Sequence, residues 1–371
     1  MDRLIFRATM EGQVQVLRQN KHHLPFQTTP TNNTILHVAA QFGRCHCVEE
    51  ALRICPGMLR MANRRGETAL HIAAREGHTQ IVKVLIEHAK LEKDIESGIG
   101  AKEELMRMKN KTEDTPMHLA ASNRHVEVVK LLAGEDPGYS YSGNRAGESP
   151  LYLAVERGFS DVVVAILKTC SSTAHGGPGG RTALHAAVFC NNQAMTAVLL
   201  EKHPSITQSP DDHGWTPLHY AAHLNYVSRI KQLLKDDKMA AYLTNKDGKT
   251  ALHIAAGRGQ TAAMKELVSH CPDCSDLTDA RGRNILHIAV ESNEKEAVNY
   301  ILEDPLFGSL VNAKDEDGNT PLHLLAAKGR HITSLIVDPR VDKGAHNLEG
   351  LTALDIASCP HRFVALKVCD S

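Results

Sequence analysis

Short apolar segments recur along this chain in pairs. The first segment of a pair places Leu and Ala at helical spacing, as in the Leu-His-Tyr-Ala-Ala of residues 218–222. The second carries apolar residues three and four positions apart, as in residues 126–132. That spacing is typical of a helix with one buried face. The pattern therefore predicts an all-α protein built from paired amphipathic helices.

One motif opens each pair of segments and sets the period of the chain. Its form is Thr-x-Leu-His-x-Ala, and close variants begin at Thr34, Thr68, Thr115, Ser149, Thr182, Thr216, Thr250, Asn284, Thr320 and Thr352. Successive copies are 32 to 36 residues apart, except for one step of 47. A period near 33 with this motif is the signature of ankyrin repeats. We predict an ankyrin-repeat solenoid of about eleven helix-turn-helix units with β-finger turns.

Residues at fixed offsets from the motif predict how each unit turns. Two positions before the motif Thr, eight of the ten units have Gly, and the other two have Asn32 and Glu113. Gly and Asn tolerate positive φ, so we expect the tip of a β-finger here. The Thr is placed to cap the first helix. Gly or Asn recurs nine positions after it in eight units, where we expect the end of that helix.

The repeats divide the chain into three parts. Residues 1–33 read as an N-terminal capping repeat and linker, residues 34–357 as the repeat array, and residues 358–371 as a C-terminal tail. The step of 47 residues places an insert at residues 90–110. Its pattern predicts an extended second helix, a Gly-Ile-Gly break and a short amphipathic piece over residues 101–108. The insert is either a solvated loop or a binding site.

Charge and composition narrow the class of partner. The 42 basic and 43 acidic residues give a net charge of −1, which offers no electrostatic footprint for nucleic acid or an anionic membrane. Nine cysteines without a secretory segment indicate reduced thiols. No run reaches the roughly 18 apolar residues that a membrane helix needs. We expect a cytoplasmic protein that binds other proteins.

The sequence gives only weak indications of a catalytic, metal-binding or phosphate-binding site. Eight of the 22 histidines are the motif His, and we interpret them as buried imidazoles that hydrogen-bond backbone and brace neighbouring loops. Cys271 and Cys274 form a C-x-x-C without a second pair to complete a zinc site, and a redox role would need another setting. The glycine-rich finger at residues 175–180 lacks the Lys-Ser/Thr of a phosphate-binding loop. We therefore predict no metal, no cofactor, no small-molecule substrate and no catalytic residues.

The finger edge is the candidate binding surface, because the residues at the finger tips differ from unit to unit and are not needed for packing. The candidate residues are Arg64, Arg65, Arg145, His213, Trp215, Lys246, Arg281, Arg283 and Asp317. Arg and Trp are enriched at interface hot spots. Trp215 has an alternative role, which is to pack on the adjacent finger.

Four stretches narrow the resemblance further. They are the opening segment 1–17, the Lys-Glu-Glu-Leu-Met of residues 102–106, the unit at 315–323 and the closing segment 349–357. Over essentially the whole chain the sequence resembles plant ankyrin proteins of the accelerated-cell-death type. The resemblance implies a regulator of defence and cell-death signalling, tied to salicylic acid, on the cytosolic face of the plasma membrane or endomembranes. Such proteins carry a C-terminal multi-span (PGG) region, which this sequence lacks where it ends at Ser371.

Three functions remain open at this point. The chain is a protein-binding scaffold in plant defence signalling, the cytosolic part of a multi-span membrane signalling protein, or a non-catalytic inhibitory subunit of an enzyme. The missing membrane region indicates a truncated gene product, a splice form or a fragment. Fold does not choose among these functions, because function depends on sites carried by the fold.

Overall fold

A computed structural model describes residues 1–91, 100–171, 173–235 and 237–358. Residues 359–371 of the predicted tail and residues 92–99 in the centre of the predicted insert lie outside these ranges. The described residues form α-helices and short 3-10 turns, and the only bridge recorded among them is the isolated pair Gly176 and Thr182. The helical class predicted from the apolar pattern is confirmed.

The chain divides into two compact units, residues 1–186 and 187–371. The helices of the first unit are α1 Arg3–Glu11, α2 Val14–Gln19, α3 Ile35–Gln41, α4 Cys45–Ile54, α5 Ala69–Glu76, α6 Thr79–Leu91, α7 Ala101–Arg107, α8 Pro116–Ser122, α9 Val126–Glu135, α10 Pro150–Glu156 and α11 Ser160–Thr169. Helix α12, Ala183–Phe189, runs across the division. The second unit contains α13 Gln193–Lys202, α14 Pro217–His223, α15 Val227–Leu234, α16 Ala251–Gly257, α17 Thr261–His270, α18 Ile285–Ser292, α19 Lys295–Glu303, α20 Pro321–Ala327, α21 Thr333–Val337 and α22 Ala353–Ser358.

Within each unit, like helices of successive repeats pack side by side. In the first unit α3, α5, α8 and α10 form one row, and α4, α6, α9 and α11 form a second row beside it. In the second unit the rows are α14, α16, α18, α20 and α22, and α13, α15, α17, α19 and α21. In the repeats that begin at Thr34 to Asn284 the motif Leu and Ala residues are buried between neighbouring helices, whereas Leu354 of the last motif is exposed. Each repeat thus buries its apolar face only against the repeats next to it, as expected of a solenoid.

The described part of the insert is anchored rather than free. Helix α7 lies at the predicted amphipathic piece and buries Ala101, Leu105 and Met106 against α6 and α8. The Arg107 guanidinium donates two hydrogen bonds to Asp136, at 2.8 and 2.9 Å, and lies over the Tyr139 ring. The second half of the insert, which contains α7, therefore packs against its neighbouring helices.

The length and apolar content of a helix decide whether it can span a membrane. Over the ranges that the structure describes, the helices are too short or too polar to span a bilayer.

Candidate functional site

The finger turns adopt the backbone conformation that their residues predict. Gly66 has φ +74° and Asn32 has φ +64°, both in the left-handed region. Glu113 replaces the glycine in its finger and takes the same conformation, with φ +64°. The turn is therefore a property of the repeat, and the residue at its tip accommodates to it.

In eight of the ten fingers an Asn or Asp at the base holds the turn closed. The Asn245 side-chain oxygen accepts hydrogen bonds from the backbone N–H of Asp247 and Lys249, at 3.0 and 2.9 Å. The residues that do this in other fingers are Asn63, Asn110, Asn144, Asp211, Asp279, Asp315 and Asn347. Sequence reasoning missed them. The signal was present, because each stands five positions before a motif residue.

Backbone hydrogen bonds join successive finger tips. In the first unit the N–H of Arg64 donates to Thr31 O, that of Lys111 to Arg65 O and that of Arg145 to Thr112 O, each at 2.9 Å. In the second unit Lys246 donates to His213 O, Glu316 to Arg281 O and Leu348 to Asp317 O. These bonds fix the backbone of the finger edge within each unit.

The motif histidines brace the fingers from below. The Nδ1 atom of His37 accepts the backbone N–H of Thr34 at 3.1 Å, so the proton lies on Nε2, which donates to Glu67 O of the next finger at 2.9 Å. The same pair of bonds recurs at His71, His118, His219, His253, His287 and His323. Burial lowers the pKa of His71, His118 and His253 to about 4. The predicted structural role is confirmed for these seven.

One repeat departs from this arrangement. Tyr152 stands where eight of the ten motifs have His and the last has Asp355, and its ring lies against the glycine-rich finger at residues 175–180. That finger is held by Gly177 N–H to Arg181 O and by Ser149 N–H to Gly176 O. The glycines therefore make room for a tyrosine.

The C-x-x-C pair is part of the core. Cys271 and Cys274 are buried free thiols, and burial raises the pKa of Cys274 to about 12. A thiol held protonated in this way is a poor nucleophile and a poor metal ligand. Across the described residues, no group of three or more His, Cys, Asp and Glu is placed to hold a metal ion.

Most candidate residues of the finger edge lie at exposed positions. These are Arg64, Arg65, Arg145, His213, Lys246, Arg281 and Asp317. Trp215 is half-buried, with its ring centroid 5.0 Å from that of Tyr220 and 5.4 Å from that of His223. It packs on its own helix α14 and leaves part of its surface at the edge.

Arg283 is the exception, and its predicted place among the exposed candidates is wrong. Its side chain is buried, and Nε and Nη2 donate to Asp279 Oδ2 at 2.9 and 2.6 Å. Nη1 donates to Glu291. Because these carboxylates already hold the guanidinium, Arg283 supports the finger from inside the repeat.

Charge is distributed unevenly along the fingers. The tips of three consecutive fingers in the first unit carry Arg64 and Arg65, Lys111, and Arg145. All four side chains are exposed, and no ion pair or side-chain hydrogen bond to a described residue engages them. Sequence reasoning missed Lys111, which stands four positions before the first residue of its motif, as do Arg64 and Arg145. Fingers of the second unit carry mixed charge, including Asp317.

Comparison with known proteins identifies the repeats. Residues 5–98, 99–176, 166–241 and 225–315 match the family model described as ankyrin repeats (3 copies). Over 233 residues the chain is 29% identical to protein Accelerated Cell Death 6 of Arabidopsis thaliana, which covers 57% of this chain and 34% of that protein. Over 88 residues it is 34% identical to SMC5-SMC6 complex localization factor protein 1 of Bos taurus, covering 24% of this chain and 7% of that protein.

A solved structure supports the same fold. The crystal structure of the ankyrin repeat domain of Bcl-3, described as a unique member of the IkappaB protein family, matches with a TM-score of 0.54 and 26% identity. The match covers 64% of this chain and 98% of the Bcl-3 chain.

This chain spans about a third of the length of the Arabidopsis relative. Its sequence similarity to that protein confirms the resemblance to the accelerated-cell-death type. The chain belongs to the ankyrin-repeat family.

Proposed function

We propose that this protein is a non-catalytic binding scaffold whose first-unit finger edge recognises an acidic segment of a partner protein. The observation that carries the proposal is the row formed by Arg64, Arg65, Lys111 and Arg145. Their charges are exposed and form no ion pair with another described residue, and their backbones are hydrogen-bonded to neighbouring fingers. A fixed row of cations favours a complementary anionic partner, raising both specificity and association rate.

We further propose that the scaffold acts in plant defence and cell-death signalling. The support is the similarity to a plant protein whose name refers to accelerated cell death. Since the chain covers 34% of that relative, what the rest of the relative does is not carried over. A position on the cytosolic side of a membrane, reached through a partner, is part of the same proposal.

Proximity labelling in plant cells tests the proposal. The test variant reverses three finger charges, Arg64→Glu, Arg65→Glu and Arg145→Glu. The control reverses three exposed lysines on second helices, Lys83→Glu, Lys168→Glu and Lys231→Glu, so that the net charge change is equal. We expect the finger variant to lose a set of labelled proteins that the control retains. Identical protein sets for both variants would refute a role for this edge.

A further inference from the structure

An open pocket of about 500 Å³ lies at the start of the first unit, between α1, the end of α3 and the first finger, residues 29–33. Its lining includes the apolar residues Met1, Phe6 and Pro30 and the polar residues Thr31 and Gln41. Ligand pockets of proteins have this size and combine an apolar lining with a few polar groups. We refer to it as the α1 pocket.

Hydrogen bonds hold both walls of the α1 pocket in place. The Asp2 carboxylate caps α1 by accepting the backbone N–H of Leu4 at 2.7 Å. The backbone N–H of Asp2 donates to Gln27 Oε1 at 2.6 Å, which ties the start of α1 to the segment that leads into the finger. In the finger, Thr29 N–H donates to Asn33 O at 2.9 Å. Because the walls are already ordered, a ligand would bind without the cost of ordering them.

Positive charge borders the α1 pocket on two sides. Arg3 of α1 is part of its lining, is exposed, and makes no ion pair or side-chain hydrogen bond with another described residue. On the finger side, the backbone oxygen of Thr31 accepts the N–H of Arg64 at 2.9 Å. Since Thr31 lines the pocket and Arg64 begins the basic row of the finger edge, the pocket and the row form one continuous surface.

We infer that the α1 pocket receives a large apolar side chain of the acidic partner segment, and that carboxylates next to that side chain pair with Arg3 and Arg64. The inference rests on the proposed function and specifies the sequence of the segment. Exposed ion pairs contribute little each, whereas an apolar anchor in a pocket supplies much of the affinity of an interface. The two arginines restrict the residues beside the anchor to acidic ones through charge complementarity.

Fluorescence anisotropy of two fluorescein-labelled peptides tests the α1 pocket on the full chain. One peptide has a leucine between two runs of glutamate, and the other has a serine in place of the leucine. Gln41→Trp fills the pocket, and Gln19→Trp is the matched control, because both glutamines are exposed and each is the last residue of its helix. A third variant, Arg64→Glu with Arg65→Glu and Arg145→Glu, tests the proposed function separately.

The inference predicts that wild type and Gln19→Trp bind the leucine peptide about tenfold more tightly than the serine peptide, because only leucine gains from burial. Gln41→Trp should bind both peptides with the affinity that wild type has for the serine peptide. Equal affinities for the two peptides in wild type, or a leucine preference retained by Gln41→Trp, would overturn the inference. Should Gln41→Trp fail to fold, Pro30→Trp fills the pocket from its finger side and should have the same effect.

The charge-reversed finger variant separates this inference from the proposed function on which it rests. It should lose binding to both peptides. If it does so while wild type binds the two peptides equally, recognition of an acidic segment stands and the anchor pocket is refuted. Peptide binding that survives the charge reversal, or no binding of either peptide by wild type, would overturn both.

Discussion

Tyr152 and Gly177 share a space that only one side chain can fill. A Cβ atom added at Gly177 would lie 2.1 Å from Cε2 of the Tyr152 ring. Gly177 has φ −142°, an extended conformation open to any residue, so the constraint is steric and not conformational. The tyrosine in place of the motif His and the glycine in the facing finger therefore form one coupled feature of this repeat.

Replacing Gly177 with Ala should destabilise the chain by about 1–3 kcal/mol, the usual cost of overpacking. Urea unfolding measures the change. Gly57→Ala is the matched control, since a Cβ there meets nothing within 4 Å. In a Tyr152→His background, which restores the smaller motif ring, the cost of Gly177→Ala should fall by half or more. An undiminished cost in the double variant would show that the two residues are not coupled.

Stability should decline as the pH falls from about 6.5 to about 4, because of the motif histidines. The folded-state pKa of His71, His118 and His253 is near 4, well below the value of about 6.5 in an unfolded chain. Between these values the unfolded chain binds more protons, so stability rises with pH and its histidine part is complete above about pH 6.5. Urea unfolding at several pH values measures the slope.

A single variant isolates the contribution of one motif histidine. His118→Asn should reduce the slope of stability against pH, whereas the exposed His22→Asn should leave it unchanged. Equal slopes in wild type and His118→Asn would contradict the assigned role of the neutral, Nε2-protonated ring.

The finger-base amide should be replaceable by a carboxylate but not by a methyl group. Asn245→Ala removes two hydrogen bonds to backbone N–H groups and should cost about 1–3 kcal/mol in unfolding free energy. Asn245→Asp keeps the accepting oxygen, which Asp211, Asp279 and Asp315 supply in other fingers, and should stay within about 1 kcal/mol of wild type. If both variants lose the same stability, the bonds from the side-chain oxygen are not what holds the finger.

Alanine substitutions of Arg281 and Arg283 should have clearly different effects on the free energy of unfolding, although the two residues are only two positions apart. Arg283→Ala leaves the Asp279 carboxylate buried without its cation and should cost about 3–5 kcal/mol. Arg281→Ala removes an exposed side chain and should change stability by less than about 0.5 kcal/mol. Thermal or urea unfolding distinguishes them. Comparable losses would mean that the burial of Arg283 does not govern its role.

The helix pairs and the finger turns could be predicted from the sequence because both arise from local rules. Apolar spacing defines a helix face, and a glycine or Asn32 marks a positive φ within a few residues. The Tyr152–Gly177 contact could not be predicted that way, because it joins residues from successive repeats. The burial of Arg283 depends on Asp279, four residues earlier in the same finger, and the position of a residue within its finger does not reveal such a pairing.

Further features of the repeats recur at fixed offsets from the motif. The Asn or Asp five positions before eight of the ten motifs appears when the units are superposed. The charge row of the first unit emerges in the same way once Lys111 is placed beside Arg64 and Arg145. What an alignment of repeats cannot give is which charges remain unpaired, since that depends on side-chain contacts.

Site-specific photo-crosslinking in plant cells tests the central claim, that the first-unit finger edge is the surface on which this scaffold binds its protein partner. A photoreactive amino acid replaces Ala146 at an exposed finger tip or Lys168 on an exposed second helix. The account predicts discrete protein adducts at position 146 that disappear when Arg64, Arg65 and Arg145 are changed to Glu, or to Gln, and none of these adducts at position 168. Adducts at position 168 alone, or adducts at 146 that survive the charge changes, would contradict it.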